Sequence, residues 1–218
     1  MSTDQGAIDR LAAAALESYA LDRDATVRLI NVSENWTYRV QEPGGRAFAL
    51  RVHRPTYHTA AEIASELDWI DALRDDGVVE TAIAVAGTAG SRVCQARTDE
   101  LGERNVVLFD WLDGDMPDAD DDDLMPGFRT LGAVSARMHR HARAWTPPPG
   151  FERFRWDYAT TLGAEGHWGR WQDGLGMGVA ELDLLGRLDE TLRRRLEAYG
   201  QGRERFGLVH ADIRLANL

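Results

Sequence analysis

The chain has 218 residues, 44% of them hydrophobic, and a formal net charge of −11. That length and composition support a packed core in one large domain or two lobes, and the acidic balance argues against a nucleic-acid partner, which needs basic surface. The lone Cys94 excludes an intramolecular disulfide, no apolar run reaches membrane-spanning length and Met1-Ser2-Thr3-Asp4-Gln5 lacks a secretory signature, so the expectation is a cytoplasmic protein with no membrane partner.

Residues 6–20 read as an amphipathic helix with Ile8, Leu11, Ala12, Ala15, Leu16 and Tyr19 on one face. Val27 to Ile30 and Trp36 to Val40 then read as strands. After the turn signal Glu42-Pro43-Gly44-Gly45 comes a third, Ala47 to Val52. A helix is expected from about Ala60 to Arg74, opened by a Thr59/Glu62 capping box, with Gly77 near its end. Two more strands are expected near Ser91 to Ala96 and Asn105 to Phe109.

The character changes near Leu112. An Asp-rich stretch carries Asp118 and Asp120 to Asp123, but lacks the glycine and closing Glu of an EF-hand loop, so it reads as a solvated segment. Beyond it the signals are helical. Phe128, Leu131, Val134, Met138 and Ala142 form one stripe, and Leu182, Leu185, Leu188, Leu192, Leu196 and Tyr199 form another, closed by Gly200. Residues 151–177, rich in Trp and Gly, give no clear element; Trp156, Trp168 and Trp171 read as packing or as a pocket lining. His139 and His141 splay to different helix faces and make a poor metal pair. The pattern predicts an α+β chain of two lobes: residues 1–111 with an antiparallel sheet and one key helix, and residues 112–218, helical and ending incomplete.

Four places in the first lobe and its connector are candidates for chemistry. On the third strand, Phe48, Leu50 and Val52 point one way and Ala47, Ala49 and Arg51 the other, which suits approach of a flat ring and a phosphate to the Ala49–Arg51 face, though the strand reads equally as an ordinary one with a solvent-facing Arg51. On the following helix, Glu66 sits on or beside the buried stripe Ile63, Leu67, Ile70. A carboxylate there needs a partner, and Arg51 is the natural one, with Glu62 the rival. Between the first strands, Ser33 and Asn35 offer hydroxyl, amide and backbone donors to phosphate, though the loop reads equally as a polar hairpin. Val106 to Leu112 joins the lobes. There the backbone would meet an adenine edge, and Phe109 and Trp111 either wall that pocket or pack the core.

The chain closes on His210-Ala211-Asp212-Ile213-Arg214-Leu215-Ala216-Asn217-Leu218, a His-x-Asp with an Asn five positions after the Asp. This is the spacing of a kinase catalytic loop, in which the Asp accepts the proton of an attacking hydroxyl and the Asn holds a metal ion on the ATP phosphates. Leu208-Val209 reads as its apolar, strand-like lead-in. Arg214 would stabilise charge on the transferring group.

With these pieces in order, the chain resembles the aminoglycoside phosphotransferase/choline kinase family of protein-kinase-like enzymes. The likeness is strongest at Ser33-Glu34-Asn35, at Phe48 to Pro55, from Leu131-Gly132 through Met138-His139, and at Val209 to Asp212. It implies a two-lobed kinase fold and phosphorylation of a small-molecule hydroxyl by ATP with Mg²⁺. It assigns Asp212 as catalytic base, Asn217 as metal ligand, and Arg51 with Glu66 as phosphate clamp. Acceptors in range include aminoglycosides, choline-like amino alcohols, homoserine and protein Ser/Thr, and an amine-bearing, cationic acceptor suits the acidic chain. The family's loop usually reads His-Gly-Asp, and Ala211 replaces that glycine at little cost if its φ is negative. Arg51 replaces the wider kinase Lys. Family members continue past the Asn to a second metal-binding Asp, so a truncated chain with little or no transfer activity is expected. A catalytically dead nucleotide-binding or interaction module is the alternative.

Overall fold

The computed structural model describes residues 4–114, 124–164 and 166–213. Its first elements are helix α1 (Gln5–Ala15), strands β1 (Thr26–Val32), β2 (Trp36–Gln41) and β3 (Ala47–Val52), and helix α2 (Ala60–Asp75). Strands β4 (Ala84–Val85), β5 (Cys94–Thr98) and β6 (Gly102–Asp110) follow. Helices α3 (Leu124–Ala144), α4 (Tyr158–Thr161) and α5 (Val179–Tyr199) complete the described chain.

All six strands form one antiparallel sheet in the order β1-β2-β3-β6-β4, with β5 also paired to β6. Period-two alternation gives it two apolar faces. Tyr38, Val40, Phe48, Leu50, Val52, Val106 and Leu108 point to one face, where they bury Ile8, Leu11, Ala12 and Ala15 of α1. Val107 and Phe109 point to the other, against Ile63 and Leu67 of α2, with Ala49 and Ile70 at the edge of that cluster. Arg51 shares the second face by its parity on β3.

Local chemistry sets the element ends. The Asp4 side chain accepts from the Gly6 N–H at 3.2 Å and starts α1. The helix stops at Ala15, and a short 3₁₀ turn, Leu16–Ser18, takes the place of the last α-helical turn expected to residue 20. Gly45, at φ 93°, closes the β2–β3 turn in a conformation that only glycine adopts without strain. Between β1 and β2 the register slips at Leu29/Asn31. Ile30 is the extra residue of this bulge and is 46% exposed.

Helix α2 begins with the expected capping box. Thr59 Oγ1 accepts from the Glu62 N–H at 3.1 Å, and Glu62 Oε2 accepts from the Thr59 N–H at 2.9 Å. Thr59→Ala is expected to cost about 1 kcal/mol of stability, read as a lower urea midpoint at unchanged slope. The side of α2 is tied down by charge. Arg92 pairs with both Asp68 and Asp71, and Arg74 with Asp71 at 2.6 Å.

Two buried phenols brace α1 and the sheet. Tyr38 donates to Asp9 Oδ1 at 2.7 Å and accepts from Gln5 Nε2 at 3.2 Å; Tyr19 donates to the Val106 carbonyl at 3.4 Å. Burial raises both hydroxyl pKa values. The hydrogen bond to Asp9 adds to this for Tyr38, and the one with Cys94 for Tyr19. An unfolded tyrosine ionises at pH ~10. The folded groups stay protonated above that, so their stabilisation is complete below pH ~10 and is lost as pH rises beyond it. Urea unfolding is expected to show a falling midpoint between pH ~9 and ~11, with a shallower fall in Tyr38→Phe.

The chain divides into two compact units. One holds residues 1–138, 147–152 and 212–218; the other holds 139–146 and 153–211. In the first, the Ser65 hydroxyl accepts from the Glu152 N–H at 2.8 Å. In the second, Tyr158 donates to Asp189 at 2.9 Å, joining α4 to α5. The leucine stripe of α5 finds little cover. No residue of the helix is buried, and Leu188, Leu196 and Tyr199 are about half exposed. Among the described residues of α3 only Met138 is buried. No described helix is long and apolar enough to cross a membrane.

Candidate active site

The sheet face beneath α2 gathers the residues named on β3. Arg51 Nη1 donates to Glu66 Oε1 at 2.9 Å, with the two side chains 35% and 26% exposed. Strand parity puts Arg51 on the α2 side, and helix phase puts Glu66 beside Ile63, Leu67 and Ile70, so the pair forms where sheet and helix meet. The rival Glu62 is occupied by its cap and by His58, whose Nδ1 lies 3.5 Å from Glu62 Oε2. Below the pair is Phe109, 6% exposed, with its ring centroid 5.2 Å from Arg51 Cζ. Phe109 is a core residue of this face that also supports the guanidinium from beneath.

Register brings in two cations that sequence reading missed. Arg39 on β2 lies opposite Ala49, and Arg28 on β1 opposite Arg39. Arg39 Cζ sits 4.3 Å from the Trp111 ring centroid, and its Nε and Nη2 donate to Gln41 Oε1 at 3.3 and 3.2 Å. Among the described residues neither Arg28 nor Arg39 makes an ion pair. Like charges directly opposite in a sheet are destabilising by about 0.2–1 kcal/mol, a cost that a bound anion would relieve. The alternation of Tyr38 and Val40 with Arg39 was a usable signal for the face. The strand pairing was not visible.

Around this face the other assignments have specific geometry. The Ser33 N–H donates to the Asn35 carbonyl at 3.0 Å, closing the β1–β2 hairpin tip. Asn35 Oδ1 accepts from the Arg54 N–H at 3.1 Å, and Arg54 Nη2 donates to the Ser33 carbonyl at 3.0 Å. Among the described residues, no hydrogen bond engages the Ser33 hydroxyl or the Asn35 amide NH₂. In the connector, the Asp110 and Trp111 N–H groups donate to Ile83 and Ala47, so neither is directed at a ligand edge.

The His-x-Asp segment departs from expectation in two ways. Leu208-Val209 forms no strand, and Val209 is 50% exposed; without a ladder partner among the described residues, an apolar dipeptide does not extend a sheet. Ala211 has φ 68°. The left-handed region costs a residue with a Cβ roughly 1–2 kcal/mol, so replacing the family's glycine here is not free. Asp212 is exposed. Arg214 and Asn217 lie outside the described residues, as do Asp118 and Asp120 to Asp123.

In the second unit, Trp156 and Trp168, read from the sequence as packing or pocket lining, form an aromatic cluster with Phe154 and His167. Trp156 and Trp168 meet edge to face at 5.1 Å, Phe154 lies 5.8 Å from Trp156, and His167 stands 5.1 Å from Phe154. Trp156 and Trp168 are about half exposed.

The model of the phosphotransferase enzyme family matches residues 26–218. A solved structure described as the microcompartment-associated aminopropanol kinase is 45% identical, with a TM-score of 0.84 over 96% of this chain and 63% of its own. A second, amicoumacin kinase hAmiN in complex with AMP-PNP, Ca²⁺ and Ami, is 22% identical, with a TM-score of 0.69 over 97% of this chain and 59% of its own. The present chain thus spans about three fifths of the length of these two structures. No curated protein matches it closely enough to count as a relative.

Proposed function

Because the chain belongs to the phosphotransferase enzyme family, we propose that it carries the nucleotide-binding part of a kinase that moves the terminal phosphoryl group of ATP to a hydroxyl of a small, amine-bearing molecule. The observation that carries this reading is the Arg51–Glu66 pair at 2.9 Å on a sheet face that also holds Arg28 and Arg39. A protein of net charge −11 that gathers three guanidiniums on neighbouring strands has made a local exception to its acidity, and polyphosphate is the ligand chemistry that such an exception fits.

In this reading residues 1–111 form the nucleotide lobe of a cytoplasmic enzyme. Glu66 fixes the Arg51 guanidinium in one orientation, which directs its remaining N–H groups at phosphate oxygens. Ala49 gives the adenine ring room to lie against the sheet, with Phe109 and Trp111 at its border. Ser33 and Asn35 cover the phosphates with a hydroxyl and an amide in place of glycine-loop N–H groups. Asp212 takes the proton of the acceptor hydroxyl, and Arg214 neutralises charge on the group in flight. A divalent ion, Mg²⁺ in this proposal, adds positive charge to the phosphate oxygens when bound. Its assigned ligand is Asn217, and the described residues contain no group of three or more His, Cys, Asp or Glu that could hold a metal.

An amino alcohol is the acceptor class this reading favours. The 45% identical structure is described as an aminopropanol kinase, and the net charge of −11 suits a cationic acceptor. Calorimetry with AMP-PNP, with and without Mg²⁺, tests the nucleotide part: binding strengthened by Mg²⁺ supports it, and no binding under either condition refutes it. Tight, metal-independent binding without turnover would favour a catalytically silent nucleotide-binding module.

A further inference from the structure

At the far end of β3 the first unit holds a cavity of about 300 Å³, lined by residues including His53, Arg54, Thr56, His58, Arg104 and Asn105. That volume is at the small end of the range for ligand pockets, about 300–1,000 Å³. Its lining shares no residue with the Arg51 face or with the adenine side of the sheet.

The lining is cationic. Arg54 and Arg104 both contribute, and among the described residues neither makes an ion pair. Arg104 Nη1 donates to the Glu103 backbone carbonyl at 2.8 Å, but its Nε is buried with no hydrogen-bond partner. A buried guanidinium N–H left unsatisfied is costly, and charged donors are costlier than neutral ones. His53, 3% exposed, and His58 add imidazoles to the wall. Ala60, the first residue of α2, also lines the cavity and brings the positive end of a 16-residue helix to it. Among the described residues, Glu103 is the one carboxylate in the lining.

We infer that this cavity is a second anion site, which takes a phosphate-type oxyanion between Arg54 and Arg104. Both arginines line the cavity and can meet the anion through charge-assisted bonds from their guanidinium N–H groups. Arg54 gives the site a reach. The same residue holds the β1–β2 hairpin tip through Asn35 Oδ1 and the Ser33 carbonyl. An oxyanion on its guanidinium therefore fixes the residue that anchors the tip, so that occupancy of this cavity tightens the loop proposed to cover the nucleotide phosphates.

The test is a titration of the 218-residue chain with inorganic phosphate, following the thermal midpoint, against sodium chloride at matched ionic strength. Phosphate is expected to raise the midpoint saturably and chloride not to. Arg54→Gln and Arg104→Gln are each expected to weaken the apparent phosphate affinity by about tenfold or more, as loss of a charge-assisted contact does. Arg51→Ala is expected to leave the phosphate response intact while weakening AMP-PNP binding, so this site and the nucleotide reading fail separately. The inference is overturned if phosphate acts no differently from chloride, if Arg54→Gln leaves the affinity unchanged, or if Arg51→Ala abolishes the response. Arg54 is exposed, so its substitution decides the matter even if Arg104→Gln does not fold.

Discussion

Asp212→Asn is expected to lower phosphoryl transfer by about 10²–10⁴-fold and to leave nucleotide affinity unchanged, the range that removal of a general base produces. The carboxamide keeps the shape of the side chain and can still accept a hydrogen bond from the acceptor hydroxyl, but it cannot take the proton. In the proposed site, binding depends on cations and loop donors elsewhere, so the loss is expected in kcat and not in the nucleotide Kd. The assay is Mg²⁺-dependent ADP release with a panel of amino alcohols, run on the longest natural chain that carries this sequence. Equal rates for parent and variant, both above the acceptor-free blank, remove Asp212 from the chemistry.

Arg51→Ala weakens AMP-PNP binding by about 10- to 100-fold. A hydrogen bond to a charged group contributes roughly 1.5–3 kcal/mol, and each 1.4 kcal/mol is a factor of about ten in affinity. The substitution also removes the 2.9 Å ion pair between strand and helix, so some of the loss appears as lower stability. Two companions separate the effects. Arg51→Lys keeps the charge but exchanges a fork for a point, and should recover part of the affinity. Glu66→Gln keeps an acceptor for Arg51 but drops the charge, and should cost less than Arg51→Ala. Calorimetry on the four chains gives the ranking; an Arg51→Ala chain that binds as tightly as its parent ends the role of this residue as phosphate clamp.

What could be read from the sequence was local and periodic. β3 announced itself through Phe48, Leu50 and Val52, all of which are buried, and α2 through the Thr59/Glu62 box and the Ile63–Leu67–Ile70 stripe. Strand parity and helix phase together were enough to pair Arg51 with Glu66. Pairing between strands left no such trace. The bulge at Ile30 shifts β1 by a residue, so the alignment of Arg28, Arg39 and Ala49 exists only in the folded sheet. β4, with two residues, is too short to carry a period. The cluster of Phe154, Trp156, His167 and Trp168 is held by contacts across a loop and has no regular spacing. Leu208-Val209 carried apolar residues without a neighbouring strand, which is why hydrophobicity alone misled there.

The ties on α2 bear on how the Arg51 clamp is assembled. A capping box holds the helix start, Arg92 bridges Asp68 and Asp71 on its flank, and Ile63 and Leu67 lock its underside. Glu66 sits between these restraints, so its carboxylate is aimed before any nucleotide arrives. If the pair is the proposed phosphate clamp, its ordering entropy is met during folding, and an incoming phosphate would encounter a preorganised receptor instead of two side chains that must first find each other.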